Sequence, residues 1–149
     1  MDKNEIKLIC NNRRAKYDYE IIDSIEVGIV LVGHEVKSLV NNHVSLDAAY
    51  ACVFNGELWL EDCNIDPYKF ATFQQIQSKR KRKLLAHKKQ IQKLDEGSQQ
   101  KGFTLIPMKM YFKNGKVKVD LAICRGKQIH DKRSSIRRRE ALKEMKKII

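Results

Sequence analysis

The sequence predicts a mainly β fold, either a closed antiparallel barrel or a sandwich. Alternating apolar positions recur in short runs, and Asn-Gly turns separate two pairs of those runs. Helical periodicity is confined to two stretches. With 149 residues, 42% of them hydrophobic, the chain is long enough for one domain with a single core.

The clearest predicted hairpin surrounds Asn114-Gly115, because both residues tolerate the positive φ angles of a two-residue turn. In Thr104–Phe112 the even positions form one largely apolar face, and in Lys116–Ile123 the odd positions do so. This period of two predicts two strands with one buried face each.

A second hairpin is predicted around Asn55-Gly56, between the runs Ala48–Phe54 and Glu57–Ile65. Both runs are apolar on both faces, which is typical of strands deep in a sheet. Tyr17–Ile22 and Gly28–Val32 are further strand candidates.

Helical spacing of apolar residues predicts helices over Arg82–Leu94, with Gly97 as its cap, and over Ser134–Ile149. The second helix has only a weak apolar stripe and no core to pack on. Since packing supplies most helical stability, we expect this part of the chain to be mobile when free and to order on a partner.

Positive charge is concentrated in two places. The chain carries 30 Lys+Arg against 18 Asp+Glu, a net charge of +12, and residues 125–149 alone hold ten basic and three acidic side chains. A second concentration is Lys79–Lys83, followed by His87-Lys88-Lys89. Such clusters favour a nucleic-acid partner over plain solvated faces. We therefore expect a nucleic-acid-binding body, residues 1–124, and a basic tail, residues 125–149.

The remaining composition narrows the class of protein. No apolar run approaches the roughly 20 residues of a membrane helix, and no secretory signal follows Met1, so we expect a cytoplasmic protein. The spacing of Cys10, Cys52, Cys63 and Cys124 fits neither a zinc site nor a disulfide framework. The sequence predicts reduced thiols, mostly in the core.

Evidence for catalysis is thin. Glu35-Val36-Lys37 with Asp18 or Asp23 has the residue types of a Mg²⁺-dependent nuclease, but an ion pair or a polar contact to RNA explains the tripeptide equally well. The histidines lack metal-ligand spacing, and no glycine-rich phosphate loop is present. We expect no enzyme, no metal and no cofactor.

Seven collinear stretches carry a resemblance to a known family. They are Asn12–Tyr19, Gly28–Leu39, Asn55–Leu60, Ile65–Tyr68, Arg82–Lys88, Leu105–Gly115 and Gly126–Arg133. Across them the chain resembles the SsrA-binding protein (SmpB) family, the bacterial proteins that accompany transfer-messenger RNA (tmRNA) in trans-translation and ribosome rescue.

The resemblance implies an OB-like closed barrel with flanking helices and a basic C-terminal tail that is disordered when free and helical when bound. The barrel is expected to bind the tRNA-like domain of tmRNA. The tail is expected to occupy the decoding centre and the empty mRNA channel of the small ribosomal subunit. The further implied partner is elongation factor Tu with alanyl-tmRNA, contacted indirectly. The protein itself is expected to be a monomer without a membrane partner.

The resemblance also implies two sets of site residues. The set expected to bind the tRNA-like domain is Asn12, Arg13, Arg14, Lys16, Tyr17, Glu35, Lys37, Ser38, His87, Lys88, Lys113, Asn114 and Lys116. The set expected to contact the ribosome is Gly126, Lys127, His130, Asp131, Lys132, Arg133, Arg137, Arg138, Arg139, Lys143, Lys146 and Lys147.

Individual roles follow from side-chain chemistry. Glu35 matches the RNA-binding acid of the family, since a carboxylate accepts hydrogen bonds from guanine; the alternative is that it positions Arg13 or Lys37 by pairing. Tyr17 offers a stacking face. Gly126 is expected to act as the hinge of the tail, and His130 to stack on a ribosomal base. Asp131 is alternatively a helix N-cap.

A different interpretation remains open within the binding class. A ribosomal protein or a general single-strand RNA-binding protein on an OB barrel has the same charge and a similar strand pattern. Proteins of that kind rely on aromatic stacking, and only 7% of this chain is aromatic.

Overall fold

The computed structural model describes residues 5–66 and 78–126. Within these ranges the chain forms nine strands and three helices. In chain order they are β1 (Ile6–Asn11), α1 (Arg13–Asp18), β2 (Tyr19–Ile29), α2 (Gly33–Val40), β3 (Val44–Ser45), β4 (Tyr50–Phe54), β5 (Glu57–Glu61), β6 (Asn64–Ile65), β7 (Arg82–Leu85), α3 (Lys88–Gln99), β8 (Phe103–Lys113) and β9 (Lys116–Gly126).

Six strands close into an antiparallel barrel. They follow one another in the order β8, β4, β5, β7, β2 and β9, and β9 then pairs with β8 to complete the ring. β1 is added to β8 outside this ring, and β3 pairs only with β6. The predicted mainly β barrel with flanking helices is confirmed, and the alternative of a sandwich is wrong.

The barrel interior is a single apolar core. Of the odd positions predicted to form the apolar face of β9, Val119, Leu121 and Ile123 belong to it, and the partly buried Val117 packs against it. Helix α2 contributes Leu39 and helix α3 contributes Leu94, both fully buried. The helices therefore pack against the barrel instead of extending from it.

β8 departs from the predicted single apolar face. Its pairing with β9 shifts between Pro107 and Lys109, so that the strand carries a bulge at Met108. Ile106 and Met108 pack in a second cluster with Ala15 of α1, whereas Met110 packs in the barrel core. The bulge changes which positions face inward, so the even positions divide between two clusters.

Both predicted hairpin turns are confirmed. Asn55 and Gly56 have φ angles of 51° and 73°, and Asn114 and Gly115 have 52° and 78°. These values are the left-handed conformations that a two-residue turn between twisted strands requires. The predicted strand Glu57–Ile65 is divided into β5 and β6 at Asp62, which itself has a φ of 57°.

The helix predicted over Arg82–Leu94 is wrong in its first half. Residues Arg82–Leu85 form β7, with Arg82 and Leu84 buried. The segment is a strand because it pairs with β5 on one side and with β2 on the other. Helix α3 starts only at Lys88 and continues past Gly97. Sequence patterns also missed β1, α1 and α2, and the strand predicted from Tyr17 starts at Tyr19.

Gly97 marks the point where α3 crosses the barrel instead of capping the helix. A Cβ atom at this position would lie 2.8 Å from Ile123 Cδ1 of β9. We therefore expect Gly97→Leu to lower the free energy of unfolding by about 1–3 kcal/mol through overpacking, despite its better helix propensity. Urea unfolding measures the change, and Gln92→Leu on the exposed side of α3 is the control, expected within about 0.5 kcal/mol of wild type.

The cysteines are free thiols, as predicted. Burial raises the pKa of Cys63 to about 12 and that of Cys124 to about 11, which keeps both protonated. Cys52 differs from the core prediction, because its thiol is half-buried and donates to Glu61 Oε2 at 3.4 Å.

In the ranges 5–66 and 78–126, no helix has the length and apolar character needed to cross a membrane.

β9 extends to Gly126, which pairs with Tyr19 of β2. Two residues assigned to the tail, Arg125 and Gly126, thus belong to the sheet. The predicted tail helix Ser134–Ile149 and the expected disorder of the free tail lie outside the described residues, as do all the ribosome-contact residues from Lys127 onward.

Candidate nucleic-acid interface

Asn12 is a structural residue in this fold. Its side chain is 1% exposed and donates to the carbonyls of Leu46 at 3.0 Å and Pro107 at 2.9 Å. Its Oδ1 accepts from the backbone N–H of Ala15 at 3.1 Å and so caps α1. Both polar atoms of the Asn12 side chain are thus paired inside the protein. The structure gives Asn12 the role of positioning α1, and its RNA contact stays a prediction.

The other residues predicted around α1 lie on one surface. Arg13 and Lys16 are exposed, and Tyr17 is half-buried. The Arg14 side chain is 72% exposed and forms an i,i+4 ion pair with Asp18 at 3.5 Å. We call Arg13, Arg14, Lys16 and Tyr17 the α1 surface. It combines exposed cations with an aromatic ring, as RNA-binding surfaces do.

A groove opens at the opposite end of β2. It has two compartments of about 460 and 300 Å³, which share Gly28, Leu85 and Lys118. A Cβ atom on Gly28 would lie 3.3 Å from Leu85 Cβ, so glycine keeps the floor open. The polar compartment is further lined by Glu26, Ala86, His87 and Gln90, and the apolar one by Ile29, Leu31, Val36, Gly115, Lys116 and Val117. We call this the barrel-end groove.

The acid of the barrel-end groove is Glu26. The hydrogen bond that Tyr111 Oη donates to it, helped by Lys113 at 3.3 Å and by the charge of Lys118, lowers the pKa of Glu26. The carboxylate is therefore ionised at neutral pH and remains 37% exposed. An ionised, accessible carboxylate accepts hydrogen bonds from the amino and imino groups of a nucleobase.

Lysines lie beside this acid and along the groove. Lys113 and Lys118 act on the Glu26 carboxylate, and Lys116 of β9 lines the other compartment. His87 stands at the N-terminal end of α3, and Lys88 follows it in exposed position. The backbone N–H of His87 donates to Gln90 Oε1 at 3.1 Å, which fixes the start of the helix. Four of the predicted residues, His87, Lys113, Asn114 and Lys116, thus border the groove or its hairpin.

Glu35 is buried and does not lie on the surface of the protein. Its side chain is 1% exposed, and its oxygens accept from Arg80 Nη2 at 2.5 Å and from Arg82 Nε at 2.7 Å. Burial opposes its charge, but the bonds from the two arginines and from Val32 N at 3.0 Å outweigh that cost and lower the pKa of Glu35. The pairing partners of Glu35 are Arg80 and Arg82 instead of Arg13 or Lys37, and its direct guanine contact stays a prediction.

Arg82 completes this buried network. The side chain is 0% exposed, and it donates to the carbonyls of Cys63 at 2.7 Å and Ser78 at 3.0 Å as well as to Glu35. Glu35 thereby connects α2 to the start of β7, three residues before Leu85 of the groove. Ser38 is likewise buried, and its hydroxyl donates to the Asp66 carbonyl at 2.7 Å. Its RNA contact stays a prediction. Lys37 is exposed on α2.

The same geometry weakens the nuclease interpretation. Arginine guanidinium groups occupy both oxygens of Glu35, while Asp18 pairs with Arg14 and Asp23 pairs with Lys93 at 2.7 Å. Among the residues that the structure describes, no group of three or more His, Cys, Asp or Glu side chains has the geometry to hold a metal ion.

The candidate residues therefore form two groups at opposite ends of the barrel. The α1 surface lies where β2 starts and the barrel-end groove lies at Gly28, up to about 30 Å away at ~3.3 Å per strand residue. Gly126, from which the tail continues, pairs with Tyr19 beside the α1 surface.

The sequence patterns did not identify Glu26, Leu85 and Lys118 as site residues. Only the alternation of apolar and polar residues along β2 and β9 indicated that Glu26 and Lys118 face outward.

Comparison with known proteins identifies the family. The model of the SmpB protein family matches residues 9–149 of the chain. The SsrA-binding protein of Caldicellulosiruptor bescii is 47% identical over 97% of this chain and 92% of its own length. Those of Syntrophobacter fumaroxidans and Streptococcus pneumoniae are 44% and 42% identical, over 95% and 100% of this chain and 88% and 96% of their own lengths.

A solved structure agrees with the sequence comparison. The structure described as "tmRNA-SmpB: a journey to the center of the bacterial ribosome" superposes with a TM-score of 0.70 at 42% identity, covering 87% of this chain and 94% of the solved one. Agreement in both sequence and fold extends over nearly the whole chain. The chain belongs to the SmpB family, a family of RNA-binding adaptors and not of enzymes.

Proposed function

We propose that this protein is the adaptor that binds the tRNA-like domain of tmRNA and delivers it to stalled ribosomes in trans-translation. The observation that carries this proposal is the barrel-end groove, which joins an ionised acid to a rim of cations in a chain of the SmpB family. An RNA elbow offers the two groups that fit it, unpaired base edges and backbone phosphates.

Within the groove the residues have distinct roles. Glu26 accepts hydrogen bonds from the edge of an unpaired base, and Lys116 and Lys118 bind the flanking phosphates. Leu85 and Val36 give the apolar compartment a surface on which a base face rests. Lys37, His87, Lys88 and the turn Lys113-Asn114 extend this contact around the rim.

The α1 surface serves a second RNA partner. The resemblance assigns its residues to the tRNA-like domain, but their place beside Gly126 favours the ribosome, because the tail leaves the barrel there. In this arrangement the body bridges two RNA molecules, and the tail enters the decoding centre and the empty mRNA channel. We infer that the protein acts in the cytoplasm as a monomer and meets elongation factor Tu only through alanyl-tmRNA.

Binding of the isolated tRNA-like domain tests the assignment of the two ends. Lys116→Ala with Lys118→Ala should lower the slope of log affinity against log salt by about 1.8, at ~0.9 per phosphate contact. Arg13→Ala with Arg14→Ala removes the same charge at the opposite end and should leave the slope near that of wild type. Filter binding across a salt series measures both. If the two double variants lowered the salt slope equally, the position of the charges would be irrelevant and charge alone would drive binding.

Glu26→Gln tests the role of the acid. We expect weaker binding of the tRNA-like domain with an unchanged salt slope, since the variant loses a hydrogen-bond acceptor but no phosphate contact. Because Glu26 is 37% exposed, the free energy of unfolding should change by no more than about 1 kcal/mol. Tighter binding by Glu26→Gln would mean that the carboxylate only repels phosphate, and would remove the base-reading role.

A further inference from the structure

The outer face of β4, β5 and β7 carries an aromatic cluster that the proposed contacts do not use. Tyr50 and Phe54 of β4 are 38% and 61% exposed, and Trp59 of β5 is half-buried between them. Cys52 pairs with Trp59 across the strands, and Trp59 pairs with Lys83 of β7. Exposed aromatic rings side by side on a sheet are typical of a contact surface.

Lys81 lies across this cluster. Its Nζ is 5.2 Å from the centroid of the Trp59 ring and 5.6 Å from that of Phe54. The same ammonium group is 3.7 Å from Glu61 Oε1, and Lys83 is 3.4 Å from Glu57 Oε1. The two carboxylates are thus balanced by two lysines, and the face is locally neutral in a chain of net charge +12.

The cluster is continuous with the barrel-end groove. Side chains on one face of a strand alternate every two residues, about 7 Å apart, so Lys83 and Leu85 point outward together. Leu85 is a wall of the groove, and Lys83 stands opposite Trp59. An RNA segment that leaves the groove past Leu85 first meets Lys83 and Glu57, and then Phe54, which pairs with Glu57, and Lys81.

We propose that this face is a second contact for the RNA held in the groove, with an unpaired base stacked on Phe54 and an adjacent phosphate bound by Lys81. This inference rests on the proposed function and adds a subsite to it. Phe54 has the most exposed ring of the cluster, and base stacking tolerates any sequence because every base has a π face. Trp59 lies beneath Lys81. Its fluorescence emission should therefore change when the ammonium group of Lys81 moves toward the phosphate.

Trp59 makes the inference directly testable, because it is the only tryptophan of the chain. Titration of the full-length protein with a transcript of the tRNA-like domain should change its emission in step with binding measured on filters. Phe54→Leu keeps the apolar bulk but removes the ring, and should weaken binding about tenfold without changing the salt slope. Phe54→Tyr keeps the ring and should bind as wild type does.

Ile22→Ala is the matched control, since Ile22 is 51% exposed on β2 outside the groove, and it should leave binding unchanged. Thermal unfolding of each variant verifies that the barrel is intact.

The inference is overturned, while the proposed function stands, if RNA binds without a change in Trp59 emission and Phe54→Leu binds it as tightly as wild type does. An emission change seen only on adding ribosomes or a protein partner would overturn it in favour of a different occupant. Failure of the wild-type protein to bind the transcript would refute both proposals.

Discussion

Glu35→Gln is expected to destabilise the barrel by about 3–5 kcal/mol, the usual cost of removing one partner from a buried ion pair. Arg82 is 0% exposed, and Glu35 is its only carboxylate partner among the hydrogen bonds of the described residues. The neutral amide keeps one oxygen that accepts a hydrogen bond, but it leaves the buried guanidinium charge without a counter-charge. Urea unfolding of both proteins measures the loss.

Two control variants separate this cost from the loss of any carboxylate. Glu57→Gln removes an acid that is 48% exposed and pairs with Lys83, and should cost no more than about 1 kcal/mol. Glu35→Met with Arg82→Met removes both buried charges and should recover part of the stability, because the carbonyls of Cys63 and Ser78 lose the donor that Arg82 provides. A loss below 1 kcal/mol for Glu35→Gln would show that water reaches Arg82, and would favour a direct RNA contact for Glu35.

The same pair predicts how stability depends on pH. The pKa of Glu35 is lowered in the folded protein, so its contribution is complete above the unfolded pKa of about 4.3 and is lost as pH falls through the folded value. Glu26 follows the same direction. Wild type should therefore lose stability below about pH 4 more steeply than the Glu35→Met/Arg82→Met variant, which thermal unfolding across a pH series measures.

Local patterns were sufficient for β9 and for the two hairpin turns, because the information that specifies them is local. Alternation and the Asn-Gly turns defined β9 and both hairpins, since a turn needs two residues with positive φ and a strand face needs only a period of two. β7 was misassigned because Arg82 satisfies its charge through Glu35, 47 positions earlier. A periodicity assessed over a short stretch of sequence around Arg82 does not include Glu35.

The site was harder to predict than the fold for the same reason. Asn12, Glu35 and Ser38 have the side chains of RNA contacts, but each is buried and bonded within the protein. Glu26 and Lys118 are ordinary charged residues on amphipathic strands, and only closure of the barrel places them around one groove. Residue type identified the partner class correctly, whereas the exposure of each residue depends on how the closed barrel packs.

Ending the chain after Gly126 is expected to abolish rescue of stalled ribosomes while the barrel still binds the tRNA-like domain. The truncation keeps every residue of β9 and removes nine basic and three acidic side chains, half of the net charge of +12. Binding of the tRNA-like domain should weaken only modestly, because the lost attraction is long-range and screened by salt. Tagging in a reconstituted translation system should fall to background, since nothing then fills the decoding centre.

Replacing Asp131, Lys132 and Arg133 together by alanine distinguishes a specific tail contact from bulk charge. This full-length variant loses a single net positive charge, yet it should fail in tagging as the truncated chain does and bind the tRNA-like domain as wild type does. If charge alone mattered, the triple variant would tag almost normally and the truncation would not. Normal tagging by the truncated chain would contradict the division of work between barrel and tail, and would leave the protein as an RNA-coating factor that acts through the groove and the α1 surface alone.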